Sequence, residues 1–185
     1  IVFVKKSFPF SQAYGLCESL CAFAKDRTKR ECSALAFWRL TASKIEDFDS
    51  ILTRELTIEL TQTNEKTEKT EKTVLTMMPY AAGGKNTVHP SVEALLKLRD
   101  AVKGMPRGGL RSLLTELHSG KEAALQSFER ICDVAKGRTD TPSINLKRLM
   151  EALETITRNS GRNALFREHA TPLHDAVELL SAERS

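Results

Sequence analysis

The sequence predicts an α+β protein: a strand–helix–strand unit with a hairpin over residues 1–80, then an all-helical bundle over residues 81–185. Three observations lead there. A β-branched and aromatic run precedes an amphipathic segment that leads into a second apolar run. A stretch of strict apolar–polar alternation follows, which is the period of a half-solvated strand. From Pro90 onward, leucines recur at helical spacing between short joints rich in Gly, Pro and Thr.

Taken in order, "IVFV" at residues 1–4 reads as a strand. It opens the chain with no partner before it, so the sheet is expected to be completed by sequence upstream, in a longer protein. A helix is predicted from Pro9 to Arg27, with Ser7 or Ser11 as its cap and Pro9 tolerated in the first turn. Its core face is Ala13, Leu16, Cys17, Leu20, Cys21 and Ala24. "SALAFWRL" at 33–40 is the next strand. "RELTIEL" at 54–60 sets Leu56, Ile58 and Leu60 against Glu55, Thr57 and Glu59, and "VLTMMPY" at 74–80 is its expected hairpin partner. Between them, "NEKTEKTEKT" has Thr at every third position and no apolar residue, so it is predicted to be a solvated, mobile tip. "PYAAGGKN" at 79–86 reads as a linker between two domains. It is not a phosphate loop: Pro79 stands where the first Gly belongs, and Asn86 where Ser or Thr belongs.

Five helical stripes follow. They are Val92, Leu95, Leu96 and Val102; then Leu110, Leu113, Leu114 and Leu117; then Leu125, Phe128, Ile131, Cys132 and Ala135, with Gly137 as a stop. The fourth is Leu146, Leu149, Met150, Leu153 and Ile156, and the last Leu173, Ala176, Val177 and Leu180. Short joints favour an antiparallel bundle in which these stripes form the core.

Composition narrows the function. Apolar residues are 41% and charged residues 28% of the 185, ordinary for a globular protein. No apolar run is long enough to cross a membrane. The net charge of +4 is mild, a weak general preference for anions rather than a nucleic-acid-binding signature. Cys17, Cys21, Cys32 and Cys132 lack the spacing of a disulfide framework or a zinc site and are expected as buried free thiols, which suggests the cytoplasm. His89, His118, His169 and His174 show no metal-binding register. Neither a Ser-His-Asp arrangement nor a paired-carboxylate motif is present.

One cluster stands out. Lys25, Arg27, Lys29 and Arg30 lie within six residues at the joint between the first helix and the following strand, opposed by Asp26 and Glu31. A solvated helix C-terminus explains them, since cations there complement the helix dipole. A nucleotide site facing the helix end explains them as well.

The segment "IVFVKKSFPFSQAYGLCESLCAFAKDRTKRECSALAF" resembles the second palm domain of the large subunit of type III CRISPR effector complexes, a relative of the GGDEF nucleotide cyclases. The shared features are a strand, a Pro-started helix ending in Ala24-Lys25, a basic turn and a final strand. The likeness continues through "RELT", "MPY" and "TPLHDAVELL". It implies that residues 1–80 are the C-terminal half of a ferredoxin-like palm with a hairpin extension, and that residues 81–185 are the helical domain. It implies an antiviral-defence subunit that converts ATP to cyclic oligoadenylate when target RNA binds. ATP is then the substrate, with Mg or Mn, in the longer parent. Neither is expected to be held by this chain alone, because the family's metal-binding GGDD hairpin is not in this sequence. Lys25 matches the position associated with triphosphate contact, with Arg27, Lys29 and Arg30 as weaker candidates. The implied partners are other subunits of the ribonucleoprotein, including small helical ones, and, indirectly, guide and target RNA. Where the family often carries Asp and His in its last strand, this sequence has Ala36 and Trp38, which puts any polar role there in doubt. Two alternatives stand: a catalytically inactive palm whose bundle docks neighbouring subunits, and a GGDEF-type signalling cyclase, against which the long helical tail speaks.

Overall fold

The computed structural model describes residues 8–40, 46–64, 67–84, 88–135 and 141–183. The strand expected at 1–4, Lys85 and Asn86 of the expected linker, and the stop expected at Gly137 lie outside them. The fold is α+β, with seven α-helices and two antiparallel two-stranded sheets among the described residues.

Helix α1 runs Phe10–Arg27, with Pro9 in the N-cap position and no side-chain cap. Proline fixes φ and lacks the N–H that would go unsatisfied there, so it starts a helix without cost. Ala13, Leu16, Phe23 and Ala24 are its buried face. The expected stripe is therefore half right. Cys17 and Leu20 are only partly buried, Cys21 is exposed, and Phe23 takes the place beside Ala24. None of the four cysteines is fully buried, which corrects the expectation of buried thiols.

Strand β1 is Cys32–Leu35, shorter than the run 33–40; residues 36–40 continue as irregular chain against the core. A short helix the sequence reading missed, α2 (Phe48–Arg54), follows; Asp47 caps it by accepting from the Ser50 N–H at 2.9 Å. Its hydrogen bonds to Ser50 hold the Asp47 carboxyl below its ordinary pKa. The hairpin is β2 (Thr57–Asn64) with β3 (Thr67–Val74), in unbroken register from Thr57↔Val74 to Asn64↔Thr67. The "TEKTEKT" repeat is thus the partner strand and not a solvated tip. The hairpin's base packs inward through Ile58 and the buried Thr73, and polar pairs cross the exposed side: Glu59 sits opposite Lys72 at 3.4 Å. "VLTMMPY" contributes only Val74 to that hairpin. Residues 75–80 instead run buried across the molecule to β4 (Tyr80–Gly84), which pairs antiparallel with β1. The stretch read as a linker therefore begins with a strand whose first residue, Tyr80, is fully buried.

Ser91 caps α3 (Val92–Lys103), accepting from the Ala94 N–H at 3.1 Å. Then come α4 (Arg107–His118), α5 (Lys121–Ala135), α6 (Thr141–Thr157), a 3-10 turn (Gly161–Leu165) and α7 (Leu173–Ala182). Helix α3 packs on α6 and α7, and α4 on α5. The leucine stripes are core as expected, except that Leu96 is about one-third exposed, at 36%, and Leu98 is fully buried in its place. One apolar core joins α1, α2, the 75–80 segment and the helices, from Leu16 to Leu180. Trp38 meets Phe48 edge-on at 6.4 Å and Phe37 stacks on Tyr80 at 6.5 Å, so this stretch serves packing. No helix of the described residues is long and apolar enough to cross a membrane.

Candidate functional site

The basic turn is built by the way α1 ends. Thr28 is buried, and its hydroxyl donates back to the Ala24 carbonyl at 2.8 Å. The backbone N–H groups of Thr28, Lys29 and Arg30 donate to the carbonyls of Ala24, Asp26 and Lys25, each at 3.1 Å. These bonds close the helix C-terminus, where carbonyls would otherwise lack partners. Lys29 and Arg30 adopt φ of 51° and 60°, the left-handed region that non-glycine residues rarely enter. Two successive left-handed residues reverse the chain into β1 and turn both cations outward.

Three of the four candidate residues share one hollow. Lys25, Lys29 and Arg30 line a concavity of ≈ 610 Å³ together with Glu18, Asp26 and Cys21. Three cations against two carboxylates leave a modest positive excess. Arg27 is set apart. Its guanidinium lies 5.5 Å from the Phe23 ring centroid, and it lines a second hollow of ≈ 480 Å³ with Ser19, Asp26, Lys29 and Asp49. The Arg27 carbonyl lies 3.2 Å from His89 Nε2, a contact that anchors the helix end to the start of the bundle segment. Among the described residues none of the four cations is engaged in an ion pair, so their charge is available to an anion.

The chemistry this arrangement permits is binding. The turn's N–H groups are committed to helix carbonyls, so an anion would meet side chains alone, and it would do so at the negative end of the helix dipole. Lysine and arginine side chains supply point charge and forked donors suited to phosphate. No group of three or more His, Cys, Asp or Glu side chains able to hold a metal ion occurs among the described residues.

The sequence reading did not single out Glu18, Cys21 or Asp49 as neighbours of the turn. Helical spacing could have found Glu18 and Cys21, which precede Lys25 by seven and four positions. It also passed over a buried polar cluster at the other end of the 75–80 segment, where Asp175 meets Thr76, Met77 and Tyr80. No protein-family model, curated protein or solved structure matches the chain.

Proposed function

We propose that the chain is the C-terminal part of the large palm-bearing subunit of a type III CRISPR effector complex, with Lys25, Lys29 and Arg30 contacting phosphates of ATP on its way to cyclic oligoadenylate. The observation that carries the phosphate role is the convergence of these three cations, unpaired among the described residues, on one hollow at the helix-to-strand turn. That is where the resemblance assigns triphosphate contact. The final strand of the proposed palm is β1, with β4 as an added partner and β2–β3 as the hairpin extension. Residues from 91 onward form the helical domain that faces other subunits. The catalytic carboxylates and their divalent metal belong to sequence beyond this chain, so no reaction step is assigned to its residues.

Arg27 has a lesser part in this reading, because stacking on Phe23 holds it on the other side of the helix end. A second reading, docking without turnover, draws on Phe10 and Tyr14. They stack with ring centroids 6.1 Å apart, at 73% and 52% exposure, on the outer side of α1.

The test is Lys25→Ala in the full complex. It should weaken ATP use by roughly 1–3 kcal/mol, the range for a lost charge-assisted contact, and leave folding intact. Oligoadenylate made with unchanged kinetics would remove the phosphate role. The chain by itself should synthesise nothing at any metal concentration. Turnover in a clean assay would show that the catalytic carboxylates lie within it.

A further inference from the structure

Asp175 is the one fully buried carboxylate among the described residues, 2% exposed in the first turn of α7. It does not cap its own helix. Its Oδ2 instead accepts three hydrogen bonds from the segment on which α7 sits: Thr76 Oγ1 at 3.0 Å, the Met77 N–H at 2.9 Å and the Tyr80 hydroxyl at 2.5 Å. The Thr76 hydroxyl accepts from the Met78 N–H at 3.0 Å, which directs its own proton toward Asp175. Among the described residues, Oδ1 has no hydrogen-bond partner, and no cation lies within ion-pair distance of either oxygen.

Neither protonation state is complete in this setting. The carboxylate has three donors and the favourable end of the α7 dipole, but it is a buried charge with no counter-cation. The neutral acid avoids that cost, yet it either turns the Tyr80 bond around, leaving the phenol proton without an acceptor, or carries its own proton on Oδ1, where no described group accepts it. Two imperfect states are close in free energy. Burial pushes the Asp175 carboxyl up to about 7, against the three donated hydrogen bonds.

We propose that Asp175 is a proton-operated latch: protonated, it holds α7 against Thr76–Tyr80, and ionisation loosens that contact. The groups around it support a response centred on this carboxyl. From the segment beneath, the Tyr80 phenol is held well above its ordinary pKa by burial and keeps its proton. From α7 itself, Glu178 raises the Asp175 pKa slightly, but its own charge is bound to Arg39 at 2.7 Å. His174 is pushed down by burial, with His118 and Arg39 adding to the effect, so it is neutral where Asp175 titrates. The latch has somewhere to transmit its motion. Tyr80 opens β4 and pairs with Leu35 of β1, the strand that leaves the basic turn. Loosening α7 therefore removes a hydrogen bond from the residue at which that strand pair begins. This inference does not depend on the nucleotide reading.

The experiment is a carbon-13 carboxyl titration of the chain, with amide exchange of α7 and residues 76–80 measured at about pH 6 and about pH 8. The Asp175 midpoint should fall within about one unit of neutrality. After correction for intrinsic exchange, protection of those amides should fall as pH rises to the midpoint and level off above it, about tenfold in all between about pH 6 and about pH 8, while α6 amides hold. Asp175→Asn, which keeps an acceptor and cannot titrate, should abolish the drop. A midpoint near that of an ordinary carboxyl, or an unchanged drop in Asp175→Asn, overturns the latch. If that variant does not fold, the wild-type midpoint decides alone.

Discussion

Lys29 and Arg30 hold the turn in a conformation that side chains resist, at φ 51° and 60°. A β-branched residue tolerates this region least, so Lys29→Val should lower stability by about 1–2 kcal/mol. Arg30→Gly relieves the same strain while freeing the unfolded chain, two effects of similar size, so its stability should stay within about 1 kcal/mol of the wild type. Urea unfolding checks both. The pair also separates structure from binding, because Arg30→Gly removes a cation from the hollow without harming the turn. An undamaged Lys29→Val would mean that the left-handed turn does not exist in solution. The exposed cations should bind phosphates more weakly as salt rises, since nothing around them excludes screening ions.

At the scale of elements, α3 is the bracket of the molecule. It packs on α6 and α7, and its N-terminal cap residue bridges to β4 through Ala81↔Ser91. Leu95 and Leu98 are fully buried on it. Leu98→Ala should cost about 2–5 kcal/mol through lost burial and the cavity left behind. Ser91→Ala should cost about 1 kcal/mol through the lost cap. Thermal or chemical denaturation distinguishes the two by size. A Leu98→Ala loss no greater than that of Ser91→Ala would mean that α3 is not seated in the core. The β2–β3 ribbon is the opposite case. Backbone pairing holds it, with Ile58 packed on the core and Leu56 and Leu75 anchoring its base; the exposed Glu59–Lys72 pair adds little.

For the whole molecule, one buried and one partly buried titrating group on α7 shape stability against pH, and they act in opposite directions. Asp175 has a folded pKa of about 7 against an unfolded value of 3.8. Its contribution is full below the unfolded value and is lost as pH rises through the folded one. His174 has a folded pKa below its unfolded 6.5. Its contribution is present above 6.5 and is lost as pH falls through the lowered value. The two slopes oppose each other just below 6.5, so the net loss of stability with rising pH should fall between about 6.5 and about 7. The urea midpoint should be lower at about pH 8 than at about pH 6. Asp175→Asn should flatten this alkaline limb, and His174→Asn should extend it to lower pH. An alkaline limb that survives in Asp175→Asn would assign it to another group.

What could be read in advance follows from periodicity and local chemistry. The start of α1 at a proline, its end at a run of cations, and the leucine stripes of α3 to α7 are all written in residues close together in the chain, because a helix satisfies its own backbone and only its apolar face needs a neighbour. Other features have no such local signature. "TEKTEKT" becomes a strand through pairing with Thr57–Asn64, and no apolar alternation announces it in a stretch without an apolar residue. Tyr80–Gly84 turns from linker into strand because Cys32–Leu35 offers it an edge. Cys21 lies on the side of α1 that meets solvent although its spacing suited the core. Lys25, Lys29 and Arg30 were visible as a cluster, but which of the cations share a hollow was settled by the left-handed turn and by Phe23 drawing Arg27 aside. The polar hub is the clearest instance: Asp175 and Thr76 stand 99 residues apart. Burial of a carboxylate becomes tolerable only where distant donors converge on it, and that convergence is a property of the packed chain.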